Sequence, residues 1–132
     1  MVFPAVTAIY AAVLALIYMG LTIWVSLGRL RFRVNHGDGG NVELNRRIRA
    51  HANFAEYVPL ILVLVALLEA GGARRFTIHA LLLPLTIARI MHPIGMVARD
   101  FSARQFTFRG PGAAVTWAVM VIAAVLLLAR LI

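Results

Sequence analysis

An arginine, an asparagine and a glutamate interrupt an otherwise apolar stretch of the chain, at Arg49, Asn53 and Glu56. On an α-helix, Asn53 lies about 40° to one side of Arg49, and Glu56 lies about 20° to the other. The three side chains therefore share one narrow stripe, which Arg46 and Leu60 extend. Arginine binds carboxylates through a planar fork, and a carboxylate binds an ammonium group. The stripe indicates either a site for a polar, carboxylate-bearing ligand or a structural ion pair between Arg49 and Glu56.

A second group of polar residues lies in a later apolar stretch. Arg89, His92 and Met96 are spaced so that they share one face of a helix. A charged arginine inside a membrane-spanning helix requires a partner, and Glu56 on the neighbouring helix is the predicted one. His92 either packs inside the bundle or lines the same cavity as the first stripe.

The composition indicates the elements that hold these residues. The chain has 132 residues, of which 62% are hydrophobic, against roughly 45–50% in a soluble domain. The apolar residues fall in blocks that are each long enough to cross a bilayer of about 30 Å. We therefore predict an all-α, polytopic membrane protein, with one four-helix transmembrane domain over residues 1–132. Its helices are expected near residues 2–27, 42–70, 76–97 and 111–131.

Residues that begin or end helices set these boundaries. Asn41 is expected to cap the second helix, and Gly71 with Gly72 is expected to end it. The sequence Gly110-Pro111-Gly112 is expected to break the chain, with Pro111 in the first turn of the fourth helix.

The charge distribution favours a membrane topology over nucleic-acid binding. The chain has 13 basic and 5 acidic residues, and every basic residue is an arginine. These arginines flank the apolar blocks and are densest in the first and third connections. The positive-inside rule therefore predicts that these two connections are cytoplasmic. The chain has no cysteine, so it supplies no thiol of its own, and we predict no metal site.

The second predicted helix carries a recognisable motif. Residues 49–59 read Arg-x-His-x-Asn-x-x-Glu-Tyr-x-Pro. On the second of four short helices this motif resembles the MAPEG family, the membrane-associated proteins of eicosanoid and glutathione metabolism. Residues 36–40 and 88–95 are similar to the small bacterial branch of that family. The resemblance covers nearly the whole chain and implies a multi-pass protein of a bacterial inner membrane.

The resemblance also implies a ligand and an assembly. Well-known members are homotrimers that bind glutathione between neighbouring subunits near the cytoplasmic face. They conjugate glutathione, through its thiol, to hydrophobic electrophiles or use the thiol in peroxide reduction and isomerisation. The candidate glutathione-binding residues are Arg29, Arg49, Asn53, Glu56, Tyr57, Arg89 and His92. The chain departs from the family where His92 and Met96 replace tyrosines of the third helix.

The chemistry expected of such a site is activation of the glutathione thiol. An ordinary thiol has a pKa of about 8.5, so only a few per cent is ionised at neutral pH. A cationic arginine that lowered this pKa by about two units would supply roughly 2.7 kcal/mol. Arg109 and Arg104 are the candidates for this catalytic role, and Arg109 is preferred because it lies closer to the predicted start of the fourth helix.

These observations predict a glutathione-dependent transferase or peroxidase that acts on hydrophobic small molecules arriving through the membrane lipid. One alternative is a small four-helix transporter of lipophilic cations. Transporters of that kind have a carboxylate midway along the first helix, and here the first helix has no acidic residue. Another is a family member that binds a lipid or a thiol without chemistry. A homotrimer is expected because one small bundle cannot easily pair all of its membrane-embedded charges.

Overall fold

Four helices make up the fold of the described residues. A computed structural model describes residues 2–130, in which the helices are α1 (Ala5–Phe32), α2 (Val42–Ala70), α3 (Arg75–Met96) and α4 (Ala103–Leu128). No strand occurs in this described part of the chain. All four helices are long and apolar enough to cross a membrane. The prediction of an all-α transmembrane bundle is therefore confirmed.

The helices pack through a core that runs along the centre of the bundle. α3 packs most extensively against α4 and α1 against α2, while α2 also contacts both α3 and α4. Each helix contributes fully buried apolar side chains, among them Leu14, Ile61, Leu85 and Ala123. Large apolar side chains also cover the outside, as expected of a bundle that lies in lipid.

The second helix has the predicted bounds, and its ends show why. The Asn41 side chain accepts a hydrogen bond from the backbone N–H of Leu44 at 2.9 Å, which caps the first turn. Glu43 lies in that turn and pairs with Arg47, one turn later. The helix ends at Gly71, and Gly72 adopts a φ of 84° that favours glycine.

The first helix is longer than predicted and includes the arginines that were assigned to the following connection. α1 continues to Phe32 and ends at Arg33, which has a left-handed φ of 55°. Arginine is a good helix former, and cations near a helix C-terminus interact favourably with its dipole, so Arg29 and Arg31 extend the helix.

The fourth helix begins eight residues earlier than predicted, and the expected break at Gly110-Pro111-Gly112 is wrong. Ser102 caps the helix by accepting a hydrogen bond from the Gln105 N–H at 3.2 Å. Pro111 lies inside the helix, where it removes one backbone donor without ending the element. Gly112 is buried against α3, so this glycine allows close packing. The predicted end at residue 131 lies outside the described residues, and the α3 bounds each differ by one residue from those predicted.

The connection between α1 and α2 is a glycine-rich turn held by Asp38. Gly37, Gly39 and Gly40 all have positive φ angles. The backbone N–H of Gly40 and the side-chain amide of Asn45 donate to the Asp38 carboxylate. These hydrogen bonds hold the pKa of Asp38 below its usual range, so the turn is stabilised while this carboxylate is ionised and loosens as the pH falls.

Glu69, at the end of α2, caps the start of α1. Its carboxylate accepts from the backbone N–H groups of Val6 at 2.9 Å and Thr7 at 2.7 Å, and from the Thr7 hydroxyl at 2.6 Å. α1 has no cap from its own sequence, because Pro4 occupies the capping position. Glu69 therefore supplies both the acceptors and the negative charge that a helix N-terminus favours.

We expect Glu69→Gln to lower the free energy of unfolding by about 1–2 kcal/mol, since the amide provides fewer acceptors and no charge. Thermal unfolding in detergent measures this change. Glu43→Gln is the matched control, because its exposed carboxylate pairs with Arg47 at the surface and the substitution should cost less than about 0.5 kcal/mol. Equal effects of the two substitutions would contradict the capping role.

Candidate functional site

A cavity opens between α2, α3 and α4, at the end of the bundle that holds the α1–α2 and α3–α4 connections. Its volume is about 620 Å³, within the range of about 300–1,000 Å³ that is typical of ligand sites. Cationic and polar groups line its mouth and one wall, and apolar side chains such as Phe106 and Trp117 line the rest. The cavity is therefore suited to bind a charged molecule beside an apolar one.

Four of the residues predicted from the sequence line this cavity. Arg49 and Asn53 project from α2, His92 from α3 and Arg109 from α4. Arg46 and Met96, which the helical spacing placed on the same stripes, line it as well. These faces of α2 and α3 therefore meet around one space, which was one of the two alternatives for His92, and α4 adds a third arginine to it.

Glu56 and Tyr57 do not line the cavity. The Glu56 carboxylate lies 3.6 Å from the Arg49 guanidinium, and both side chains are about half exposed, at 49% and 54%. This is the ion pair that the sequence offered as a structural alternative. Tyr57 packs against the hydrophobic core of the bundle. A single chain therefore brings Arg49 and Asn53 to the cavity and leaves Glu56 on an open face of α2.

Arg89 is buried, and its partners differ from the predicted one. One terminal nitrogen donates to the Asn53 side-chain oxygen at 2.9 Å, and the other donates to the backbone carbonyl of Gly112 at 3.0 Å. The predicted pairing with Glu56 is wrong, because Asn53 contacts the buried Arg89 whereas Glu56 lies on a half-exposed face of α2 beside Arg49. Since arginine has only donors, Asn53 must turn its oxygen toward Arg89, which leaves its amide N–H groups available to a ligand. Arg89 acts as a support behind the cavity wall.

The two candidate thiol-activating arginines are on different faces of α4. Arg109 lines the cavity, whereas Arg104 lies in a separate shallow groove beside Trp24 and Pro93. Five residues correspond to about 140° of rotation around a helix, so the two side chains cannot share one site in the same chain. Of the two candidates, therefore, only Arg109 lines the cavity together with Arg49.

Gly95 allows Arg109 to lie where it does. A Cβ atom added to Gly95 would lie 2.3 Å from the backbone nitrogen of Arg109 and 2.9 Å from its Cα atom. These atoms belong to a helix backbone, which cannot move aside as a flexible side chain can. The close approach of α3 and α4 at this glycine sets the position of Arg109 at the cavity.

The structure adds cavity residues that the sequence did not reveal. Asp100, in the α3–α4 connection, pairs with Arg46 of α2 at 2.9 Å. The Gln105 side-chain amide donates to the other carboxylate oxygen at 3.3 Å. Residues 99–110 were assigned to a loop, so no helical face could be read for Gln105 or Phe106. The cap sequence Ser-x-x-Gln at Ser102 was the available signal for the true start of α4.

Arg29 does not reach the cavity of its own chain. Its guanidinium donates to the backbone carbonyl of Gly37 at 2.7 Å and lies beside an open groove with Ser26 and Arg33. In a single chain Arg29 thus supports the glycine-rich turn.

Comparison with known proteins identifies the family of this chain. Residues 7–129 match the sequence profile of the MAPEG family. The chain is 36% identical over 117 residues to the inner membrane protein YecN of Escherichia coli strain K12, and the match covers 89% of this chain and 86% of that protein. The inner membrane protein YecN of Escherichia coli O6:H1 shows the same identity and coverage. The chain, with its four membrane-spanning helices, therefore belongs to the MAPEG family.

Proposed function

We propose that this protein binds glutathione in the cavity between α2, α3 and α4 and uses its thiol as a transferase or peroxidase acting on lipophilic electrophiles. The observation that carries the proposal is the convergence of Arg46, Arg49 and Arg109 on one cavity of about 620 Å³. Glutathione has two carboxylates, one ammonium group and a thiol. Three arginines and one aspartate in the cavity wall complement those charges.

Arg49 and Asn53 are proposed to bind a carboxylate of the tripeptide. Arg49 projects from the same helix as Asn53, one turn away, and Asn53 is oriented by Arg89 so that it can donate. A guanidinium and an amide on adjacent turns form a donor set for one carboxylate.

Arg109 is proposed to stabilise the thiolate. It lines the same cavity as Arg49, and the apolar lining residues Ala113 and Trp117 follow it on α4, where they can receive a lipophilic molecule. In the transferase reaction the thiolate sulfur would form a new bond to the electrophilic carbon, and the leaving group would depart with the bonding electron pair. A cation beside the sulfur increases the ionised fraction of the thiol, so the protein needs no nucleophile of its own.

The binding claim is tested by titration calorimetry of the folded protein in detergent with glutathione, and the chemistry by conjugation of a generic chloronitrobenzene. Arg49→Ala should weaken glutathione binding about tenfold or more, since it removes charge-assisted hydrogen bonds that are present before the reaction begins. Turnover at saturating glutathione should change little. His36→Ala, in the α1–α2 connection outside the cavity, is the control and should leave binding unchanged. Equal affinities of wild type and Arg49→Ala would contradict the role of Arg49.

We also propose that the protein is a homotrimer whose arginine-rich connections face the cytoplasm. The pair formed by Arg49 and Glu56 is about half exposed on a membrane-spanning helix, and lipid cannot satisfy such charges. A neighbouring copy would cover this face, and its Arg29 would then lie near the cavity as the family resemblance implies. Native mass spectrometry from mild detergent should show trimers, and only monomers or dimers would contradict the assembly.

A further inference from the structure

A groove between α1 and α3, here called the α1–α3 groove, has no part in the proposed function. Its volume is about 310 Å³. Apolar side chains line most of it, among them Leu21, Ile94 and Val97, and Arg104 of α4 is the one charged residue among the described residues of its lining. The groove exists because α1 packs less extensively against α3 than any other two contacting helices pack together.

The charged and the apolar parts of the α1–α3 groove lie at different depths. Trp24 lies one turn beyond Gly20 on α1, and Val97 lies one turn beyond Pro93 on α3. Both steps lead toward the end of the bundle that holds the α1–α2 and α3–α4 connections, where Arg104 lies in the first turn of α4. The groove therefore extends from a cation at this end, beside a tryptophan typical of a membrane boundary, for at least about 5 Å along apolar walls.

The Arg104 guanidinium has no carboxylate partner among the described residues. The three ion pairs found there all involve other arginines. Arg104 is also exposed, so its planar fork can donate two hydrogen bonds to an anion that arrives from outside. Phosphate is such an anion, and it is the charged group that lies at this depth of a membrane.

The wall of the α1–α3 groove is already formed. Arg47 of α2 stacks over the Trp24 ring, with its guanidinium carbon 5.0 Å from the ring centroid, and donates to the Trp24 backbone carbonyl at 3.3 Å. The indole is therefore held from the side of α2. On the same helix, a Cβ atom added to Gly20 would have no neighbour within 4 Å, so the space beside this glycine is open.

The proposed assembly leaves the α1–α3 groove open to lipid. In the described part of the chain α1 and α4 make no contact, so they lie on opposite sides of α2 and α3. The cavity is on the side of α4, whereas the groove is on the side of α1. On α1 itself, Gly20 and Arg29 are nine residues apart and hence about 180° apart around the helix. A copy of the chain that turns Arg29 toward its neighbour turns Gly20 away from that neighbour.

We propose that the α1–α3 groove binds an anionic phospholipid, with the phosphate on Arg104 and one acyl chain along Leu21, Ile94 and Val97. Basic pockets between membrane-spanning helices bind anionic head groups in this way. A free phosphate ion would leave the apolar walls uncovered, so the lipid is the occupant that matches both parts of the groove. The groove and the cavity share no lining residue, and this inference is therefore independent of glutathione binding.

Trp24 reports directly on the lipid in the groove. The chain has two tryptophans, so Trp117→Phe gives a parent protein in which Trp24 is the only one. This parent is reconstituted in phosphatidylcholine vesicles that contain a small fraction of phosphatidylglycerol with brominated acyl chains, which quench tryptophan fluorescence on contact. The same fraction of brominated phosphatidylcholine gives the reference. Quenching should show that phosphatidylglycerol binds beside Trp24 about fivefold more tightly than phosphatidylcholine.

Two variants of the parent separate the head group from the acyl chain. Arg104→Gln should reduce the fivefold preference to nearly none. Gly20→Leu keeps every charge but fills the groove, and it should also reduce the preference; leucine is a good helix former and meets no atom near its Cβ. Arg31→Gln is the matched control, because it removes an arginine near the same end of the bundle but outside the groove, and it should keep the preference.

The preference is a ratio measured within each variant, so a loss of folded protein affects both lipids equally. Equal quenching of the parent by the two brominated lipids would overturn the proposal. Equal losses in Arg104→Gln and Arg31→Gln would show a general attraction of anionic lipid to this end of the bundle in place of a site. A Gly20→Leu variant that kept the full preference would show that no acyl chain lies in the groove.

Discussion

Arg109→Ala should raise the pKa of the bound glutathione thiol by about two units and lower turnover at pH 7 roughly 25-fold. The side chain is the α4 arginine that lines the cavity, and its positive charge favours the thiolate over the thiol. Binding of glutathione should change much less, because the other arginines of the cavity hold its carboxylates. Turnover should partly recover as the pH rises, since the thiol then ionises without help. The ultraviolet absorbance of the thiolate, followed against pH in the saturated complex, reports this pKa directly.

Arg104→Ala is the matched control for this experiment. It removes the same charge from the same helix, but its side chain lies in a separate groove beside Trp24. We expect the pKa of the bound thiol to be unchanged in this variant. If the pKa of the bound thiol shifted in Arg104→Ala and not in Arg109→Ala, Arg104 would be the residue that stabilises the thiolate. It would then act on the site of a neighbouring copy.

Gly95→Ala should have a large effect on both stability and activity. The new methyl group would lie 2.3 Å from the backbone nitrogen of Arg109, so α3 and α4 must separate. Overpacking of this kind typically costs 1–3 kcal/mol, and we expect about 3 kcal/mol because the clash is with backbone atoms. A displacement of Arg109 by about 1 Å should also reduce turnover on the order of 100-fold. Thermal unfolding and conjugation assays in detergent measure the two effects.

Gly20→Ala provides the control for this second prediction. Gly20 also lies inside a helix, but an added Cβ atom would have no neighbour within 4 Å. Alanine is the better helix former, so this substitution should leave stability unchanged or raise it by up to about 1 kcal/mol. If the Gly95→Ala variant had the same melting temperature and turnover as the Gly20→Ala variant, the close contact between α3 and Arg109 would not set the position of that arginine.

The sequence predicted the second helix and its stripe well because local signals agreed with one another. Asn41 and Gly71 mark its ends, residues 58–68 are all apolar, and Arg49, Asn53 and Glu56 recur at the helical period. That periodicity was sufficient to place Arg49 and Asn53 on one face. The spacing of Arg89 and His92 put both on one face of α3, and both are buried, but it did not decide whether His92 packs in the bundle or lines the cavity.

The predicted start of α4 was wrong because proline and glycine can either end a helix or lie inside one where helices pack closely. The sequence Gly110-Pro111-Gly112 is typical of a chain break, yet here Gly112 accommodates the close packing of His92 and Ala88. Only the packing of α3 against α4 distinguishes these uses, and a single sequence does not contain it. The same error hid Gln105 and Phe106, which belong to the cavity.

The partner of Arg89 and the pairing of Asp100 with Arg46 depend on tertiary distances. Opposite charge favoured Glu56 as the partner of Arg89, but the geometry of the bundle places Asn53 and a backbone carbonyl closer. Asp100 is far from Arg46 in sequence, and only the packing of the α3–α4 connection against α2 joins them. Opposite charge suggested a partner for Arg89 and none for Asp100, and in both cases the packing of the helices determines which groups meet.

The central claim is that the cavity binds glutathione and holds it as the thiolate, and a titration of the wild-type protein tests it most directly. Glutathione is added to folded protein in detergent at pH 7 while the ultraviolet absorbance of the thiolate is recorded. We expect the thiolate absorbance to rise saturably until most of the bound glutathione is ionised, against the few per cent ionised in free solution. Heat of binding without that absorbance would contradict the activated thiolate, and the absence of both signals from well-folded protein would contradict the glutathione site itself.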